Sequence, residues 1–136
     1  MINTVVERKV RSNMISFDHF EMESGIPIYL QILLYIKRGI AAGIIKDNDE
    51  LPSRRVLSAL LGVNPNTVQK AYHMLEEEGF IQSRSGSKSY MVLNEEKIEA
   101  TRRQLIEEEA RSIVERFKGM GLTKEEVNSL IEKYWL

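Results

Sequence analysis

The sequence predicts a mainly α-helical fold with one small β-hairpin, followed by a helical extension at the C-terminal end. Apolar residues recur at helical spacing in several segments, which is typical of helices with one buried face. Glycine, proline and short polar residues separate these segments and mark where helices begin and end. Two short β-prone runs flank the turn-forming stretch Ser85-Gly86-Ser87-Lys88, and this pattern predicts the hairpin.

Composition limits the class of protein. The chain has 136 residues, enough for one compact domain and an appendage. It contains no apolar run as long as a membrane span, and residues 1–25 lack the apolar core of a signal peptide. We therefore expect a cytoplasmic protein without a membrane partner. Cysteine is absent, which excludes disulfides and thiolate metal sites.

The first predicted helix covers roughly residues 27–43. Pro27 suits a first helical turn and Gly43 suits the stop. Lys37 and Arg38 lie off the apolar stripe, so we expect them to face solvent. The inward residues are Tyr29, Ile32, Leu33, Ile36 and Ile40. Residues 1–24 before it show no firm periodicity, although MISFDHF could form a short extended or capping segment.

Two further helices follow the turn-like stretch KDNDELPS. Ser53 is a good N-cap for the second helix, which the pattern ends at Gly62. Asn64 is a favoured N-cap for the third helix, and Pro65 stands at its first position, where a missing N–H costs nothing. The second helix is predicted to bury Val56, Leu57, Leu60 and Leu61, and the third to bury Val68, Ala71, Tyr72 and Leu75.

Two helices joined by about three residues around a glycine form a helix-turn-helix, and a hairpin after it forms a wing. The second helix of such a motif enters the major groove of DNA by its N-terminal end. Its start must therefore be well defined, and its outer face needs short hydrogen-bonding groups. Asn66 and Gln69 can read adenine, Thr67 can bond a base or a phosphate, and Lys70 can contact a phosphate. A polar surface without function is the alternative for each of these residues taken singly.

The net charge of −1 does not by itself favour a nucleic-acid partner, but its distribution does. Between Leu51 and Met91, five basic residues face three acidic ones, and these acids, Glu76 to Glu78, stand together at the far end of the third helix. From Val92 onward, eight basic residues stand against ten acidic ones. The middle of the chain is therefore mildly basic and the tail mildly acidic.

The stretch LPSRRVLSALLGVNPNTVQKAYHMLEEEGFIQSRSGSKSYM resembles the winged helix-turn-helix of GntR-family transcriptional regulators, and the NPNTV core with the preceding SGIPIYLQILLYIKRGIAAGII resembles the YtrA subfamily. The resemblance covers roughly residues 24–93. It implies a DNA-binding regulator, in which Arg55 contacts DNA and the wing tip approaches the minor groove. Three departures are a basic Arg54 where the family usually has a non-basic residue, Ser85 in place of a basic residue, and Lys88 in place of a second wing glycine. The candidate DNA-binding residues are Ser53, Arg54, Arg55, Asn64, Asn66, Thr67, Gln69, Lys70, Arg84, Gly86, Ser87 and Lys88.

Two more amphipathic helices make up the tail. Asn94 can cap a helix over roughly residues 95–118, and Thr123 with Glu126 forms a capping box for a last helix. We expect three segments: residues 1–24, a DNA-binding domain over 25–93 and a dimerisation region over 94–136. The inward face of the long helix is predicted as Ile98, Leu105, Ile106, Ala110, Ile113, Val114 and Phe117. The candidate dimerisation residues are Leu105, Ile106, Ile113, Val114, Phe117, Leu130, Ile131, Tyr134 and Trp135.

The resulting hypothesis is a homodimeric, sequence-specific repressor of transcription that binds an inverted repeat in double-stranded DNA. A winged helix that binds proteins instead of DNA is the alternative. No enzyme motif, cofactor fingerprint or metal-ligand spacing is present, so we expect neither catalysis nor a cofactor nor a metal. The sequence leaves any small-molecule effector unidentified.

Overall fold

The computed structural model describes residues 13–84, 86 and 88–136. The described part forms five helices and a three-stranded antiparallel sheet in the strand order β1-β3-β2. The elements in chain order are α1 (Ile28–Ala41), β1 (Glu50–Leu51), α2 (Arg54–Leu61), α3 (Pro65–Glu77), β2 (Ile81–Ser83), β3 (Ser89–Met91), α4 (Glu95–Gly119) and α5 (Lys124–Tyr134). The mainly helical class with a small wing is confirmed.

The predicted helix boundaries are confirmed by their caps. Ser53 Oγ accepts a hydrogen bond from the Val56 backbone N–H, and Gly62 ends α2 in the left-handed conformation at φ 66°. Asn94 Oδ1 accepts from the backbone N–H of Lys97 at the start of α4. The predicted capping box at Thr123 and Glu126 is present at the start of α5. These positions depend on local hydrogen bonds, which is why sequence alone could place them.

The core lies where α1, α3 and the sheet meet. The whole predicted inner face of α3 is buried, as are Ile32, Leu33, Ile36 and Ile40 of α1. Tyr29, also predicted inward, is half-buried and packs at the edge of this core. Lys37 was expected to face solvent, but it is half-buried and its ammonium lies 2.9 Å from Glu78 Oε1.

The predicted inner face of α2 is partly wrong. Leu57 is fully buried and Leu61 partly so, whereas Val56 and Leu60 are 52% and 60% exposed. A helix of eight residues has little more than two turns, and α2 lies on the core along a narrow stripe that includes Ser58. Ser58 joins the buried face because its hydroxyl donates to the Val63 carbonyl at 3.0 Å.

A strand forms where the sequence predicted only a turn. The KDNDELPS stretch does turn, with Asn48 at φ 70°, but Glu50 and Leu51 then pair with Tyr90 and Ser89 of β3. This pairing joins residues far apart along the chain, so no local pattern indicates it. The sheet therefore gains a third strand beside the predicted hairpin.

The end of the N-terminal segment is part of the core. Ile15 and Phe17 are buried, and the Ile15 backbone N–H donates to the Glu50 carbonyl at 2.8 Å. The Phe17 ring stacks on Tyr35, with ring centroids 4.8 Å apart. The MISFDHF stretch is thus a short extended segment. Its alternate residues Ile15 and Phe17 are buried on one side and hold it against the core.

The chain divides into two compact units, Met1–Arg102 and Arg103–Leu136. In the first unit, Ile98 packs against the core, and the Lys97 ammonium donates to the carbonyls of Gly79 and Val92. The first two turns of α4 therefore complete the winged helix. No helix within the described residues is long and apolar enough to cross a membrane.

The second unit leaves most of its apolar side chains uncovered, which corrects the inward face predicted for the long helix. Leu105 is buried and Phe117 is half-buried, but Ala110 is exposed. No residue of α5 is buried within one chain. The exposed members of the predicted dimerisation set are Ile106, Ile113, Val114, Leu130, Ile131, Tyr134 and Trp135.

Candidate nucleic-acid interface

The N-terminal tip of α3 is sharply defined and open. Asn64 Oδ1 accepts from the Asn66 backbone N–H at 2.8 Å, and Pro65 occupies the first helical position. Asn66 and Gln69 are exposed, and Thr67 is half-buried beside them. The first turn carries no acidic residue, so the positive end of the helix dipole is available to an anion such as a phosphate.

A second helix start lies in the same unit, at α2. The Ser53 oxygen is occupied as the cap acceptor, which leaves the hydroxyl proton as a donor. Arg55 is exposed. Arg54 is half-buried instead, and its guanidinium carbon lies 5.3 Å from the centroid of the Tyr72 ring. The two adjacent arginines therefore have different surroundings, one open to solvent and one held against α3.

Lys70 also lies against an aromatic ring. Its ammonium nitrogen is 4.0 Å from the centroid of Tyr29, on α1, within the range of a cation–π interaction. The side chain remains exposed on its outer side. The role of Lys70 as a phosphate contact stays a prediction, and the structure adds a contact with a neighbouring helix that the sequence did not indicate.

The wing carries two basic residues. The Arg84 guanidinium lies 4.4 Å from the Tyr90 ring centroid and donates to Asn48 Oδ1 at 3.5 Å. Lys88 is exposed, and its carbonyl accepts from the Arg84 backbone N–H at 2.9 Å. Gly86, at the tip, has φ 75°, a conformation that glycine adopts without strain. Ser85 and Ser87 lie outside the described residues, so the predicted role of Ser87 has no structural account.

The acidic residues of α3 and its C-cap lie at the opposite end of the helix from its N-terminal tip. Glu76 to Glu78 follow Asn66 by roughly ten residues, or about 15 Å along the axis. His73 lies between them and the tip, with its Nε2 3.5 Å from Glu77 Oε1. Within the described residues no group of His, Asp and Glu is arranged to hold a metal ion.

Tyr72 joins the two helix starts. It is fully buried, and its hydroxyl donates to the Pro52 carbonyl at 2.6 Å. Burial raises the pKa of this hydroxyl well above its usual value, and the nearby charge of Arg54 opposes the shift. The neutral phenol thus ties α3 to the turn that precedes α2, and so fixes how the two helices present their ends.

The structure places most of the predicted DNA-binding residues on two helix starts and one hairpin of the same compact unit. Sequence reasoning missed Tyr29 and Tyr90, which hold two of the predicted cations. The pattern around Tyr29 indicated only an inward-facing residue. Each of these rings meets a cation from another element, and no local spacing signals such a contact.

The tail presents a separate apolar surface. Beside the loop between α4 and α5 there is a groove of about 510 Å³, lined mainly by apolar side chains. Val114, Phe117 and Ile131 from the predicted dimerisation set line it. At the end of α5, Tyr134 and Trp135 are 71% and 81% exposed. Apolar side chains exposed in such number are typical of a surface that another chain covers.

Comparison with known proteins identifies the family. Residues 28–91 match the family model described as bacterial regulatory proteins, gntR family. The chain is 33% identical over 107 residues to the HTH-type transcriptional regulator YhcF of Bacillus subtilis, a match that covers 79% of this chain and 88% of YhcF. It is 45% identical over 71 residues to the HTH-type transcriptional repressor YtrA of the same organism, covering 52% of this chain and 55% of YtrA.

A solved structure of the same family has a similar fold. A GntR family transcriptional regulator from Listeria monocytogenes superposes with a TM-score of 0.70 at 30% identity, over 82% of this chain and 98% of that one. A region of 82% of this chain is longer than the winged helix alone. The chain therefore belongs to the GntR family of DNA-binding transcription regulators, with the features of its YtrA subfamily.

Proposed function

We propose that the protein is a cytoplasmic repressor of transcription that binds an inverted-repeat operator in duplex DNA as a homodimer. The observation that carries this proposal is the exposed, capped start of α3, which presents Asn66, Thr67 and Gln69 and has no acidic residue in its first turn. These are short donors and acceptors of the kind that read base edges in the major groove. The cytoplasm is where bacterial DNA is found, and the relative YtrA is named a repressor.

Each cationic group has a place in this proposal. Arg55 and Lys70 neutralise phosphates beside the two helix starts, and Arg84 and Lys88 do the same from the wing. Ser53 and Asn64 define where the helices begin, and in this proposal their remaining donors bind the DNA backbone. Such contacts set the register of the protein on the duplex, and the base contacts of α3 give specificity.

Dimerisation follows from the affinity that a regulator needs. Nonspecific DNA binding lies near 10⁻⁴ to 10⁻⁶ M, whereas specific binding is typically about 10⁻⁸ to 10⁻¹¹ M. One winged helix with few basic groups has little means to close this gap. Two linked copies do so through effective concentration, and two copies related by a twofold axis match an inverted repeat. The uncovered apolar face of residues 103–136 supplies the surface that links them.

The test is selection of bound duplexes from a random-sequence library by the purified protein. We expect an enriched inverted repeat whose half-sites are separated by about one helical turn or a multiple of it. Substituting both Asn66 and Thr67 by Ala is expected to abolish the preference for the enriched duplex. Ser112→Ala, an exposed polar change on the tail, is the control and leaves the preference intact.

Two outcomes contradict the proposal. If no sequence is enriched and duplex affinity does not fall as salt is raised, the result favours a winged helix that binds another protein. An enriched sequence that the Asn66 and Thr67 variant binds as tightly as the wild type removes α3 from the reading of bases.

A further inference from the structure

We propose that Tyr29, Tyr72 and Tyr90 are positioning residues that hold the cations Lys70, Arg54 and Arg84 in place for DNA phosphates. The inference rests on the proposed function, because it concerns how the same surface prepares its charges. It assigns a role in binding to three aromatic side chains, none of which is itself proposed to touch DNA.

Within the first unit, the geometry occurs three times, on different elements. Each tyrosine ring, one on α1, one on α3 and one on β3, has a cation over its face. The distances to the ring centroids are 4.0 Å for Lys70 Nζ on Tyr29, 5.3 Å for Arg54 Cζ on Tyr72 and 4.4 Å for Arg84 Cζ on Tyr90. All three cations belong to the surface that carries the α2 start, the α3 start and the wing.

Within the described part of the chain, these three cations have no anionic partner. Across the described residues, no carboxylate forms an ion pair with any of the three. Lys37 provides the contrast: its ammonium also lies near a ring, 5.5 Å from the centroid of Phe80, but it is bound to Glu78 at 2.9 Å. A carboxylate fixes a cation and neutralises it. A tyrosine face fixes it and leaves its charge available to a phosphate.

Arg54 shows how far the ring contact determines the position. Its Nε is buried and has no hydrogen-bond partner among the described residues. Burying a guanidinium N–H without a partner is unfavourable, and the contact with the Tyr72 ring is a favourable interaction that offsets part of this cost. The Tyr72 ring is itself fixed by the hydroxyl bond to the Pro52 carbonyl. The cation therefore has a defined location before DNA arrives.

Preorganisation is the physical benefit. A free lysine or arginine loses rotamer freedom when it binds a phosphate, and this loss weakens binding. A side chain already held over a ring has lost part of that freedom in the unbound protein. The ring therefore increases DNA affinity through the cation, without adding a contact of its own.

Tyr29 and Lys70 form the pair to test, because both side chains lie at the surface edge and can be replaced without emptying the core. The variants are Tyr29→Leu, Tyr29→Phe, Lys70→Met and the double variant Tyr29→Leu with Lys70→Met. Affinity is measured in the full chain for a labelled random-sequence duplex pool over a series of low salt concentrations. Thermal unfolding of each variant is followed in parallel.

A positioning role gives a specific pattern. Tyr29→Leu is expected to weaken binding roughly threefold to fivefold while Tyr29→Phe, which keeps an aromatic face, stays close to the wild type. Lys70→Met is expected to reduce the slope of log affinity against log salt by about one, whereas Tyr29→Leu leaves that slope unchanged. In the Lys70→Met background, Tyr29→Leu has no further effect on affinity.

A structural role for Tyr29 gives a different pattern and overturns the proposal. Tyr29→Leu would then weaken binding equally with and without Lys70, in step with its effect on thermal stability. Unchanged affinity of Tyr29→Leu also overturns it. Failure of the wild type to bind the duplex pool is a separate result, since it removes the proposed function and this inference with it.

Discussion

Tyr72 has two structural roles, and a single substitution can separate them. Its ring fills the core beneath α3, and its hydroxyl binds the Pro52 carbonyl just before α2. Helical spacing predicts the first role, because Val68, Tyr72 and Leu75 fall on one face. The second depends on the tertiary placement of Pro52, which no spacing indicates.

Replacing Tyr72 by Phe is expected to lower the free energy of unfolding by about 1 kcal/mol at neutral pH, because the buried Pro52 carbonyl loses its donor. Urea unfolding at pH 7 measures this loss. Gln69→Ala, which changes an exposed side chain on the same helix, is the control for effects on α3 as a whole. A loss as small as that of the control contradicts the hydrogen bond as a source of stability.

The same residue determines how stability depends on pH. Burial raises the pKa of Tyr72 in the folded protein, so above about pH 10 the unfolded chain loses this proton while the folded chain keeps it. The unfolded state then binds fewer protons, and the free energy of unfolding falls by up to about 1.4 kcal/mol per pH unit. Below that pH the contribution is fully present.

Tyr72→Phe is therefore expected to show a shallower decline of stability than the wild type between pH 10 and 11. The residual decline includes Tyr35, whose pKa is raised by burial and by the charge of Asp18. Urea midpoints measured across this range compare the two proteins. Parallel curves contradict a raised pKa at Tyr72.

At the scale of elements, prediction succeeds where the determining contacts are local. The starts of α2, α3 and α5 depend on caps within three residues of the helix, and sequence placed all three. It missed β1, because pairing with β3 joins distant parts of the chain. The sequence also predicted Val56 and Leu60 to be buried, and both are exposed. How much of a short helix is buried depends on the elements packed against it.

The start of α3 gives the element-level prediction. Asn64→Ala removes the side-chain acceptor from the Asn66 N–H and is expected to destabilise the protein by about 1 kcal/mol. Since the same turn presents Asn66 and Thr67, duplex affinity is expected to fall as well. Asn64→Ser, which keeps a capping oxygen, is expected to retain most of both. Chemical unfolding and duplex titration measure the two effects.

The matched control is Thr123→Ala, which removes the equivalent cap from α5. Its stability loss is expected to be similar in size, since N-cap substitutions of this kind have similar costs. It leaves base recognition by α3 unchanged. If both cap variants reduce discrimination between the enriched duplex and random DNA equally, the loss reflects stability and not the geometry of the α3 start.

At the scale of the whole molecule, the candidate site was predictable to the extent that it lies on single elements. The outward positions of Asn66, Gln69 and Lys70 follow from helical spacing alone. The rings that hold Lys70 and Arg84 could not be predicted, because they come from other elements. The tail was predicted as an apolar surface for a second copy, and a single chain leaves that surface uncovered, so its partner is still a proposal.

Val114→Asp tests the partner directly. Val114 is 50% exposed in one chain, so an aspartate there has little effect on the folded monomer, but it would place an unpaired charge in an apolar interface between two copies. We expect the wild type to sediment at twice the chain mass of 15.7 kDa and Val114→Asp at the single mass. Duplex affinity for the enriched inverted repeat is expected to fall by about a hundredfold or more, because the two half-site contacts are no longer linked.

Ser112→Asp introduces the same charge at an exposed polar position of α4 and leaves both quantities unchanged. A Val114→Asp protein that remains a dimer excludes this face from the interface, and one that becomes a monomer without losing affinity shows that a single winged helix suffices for the operator.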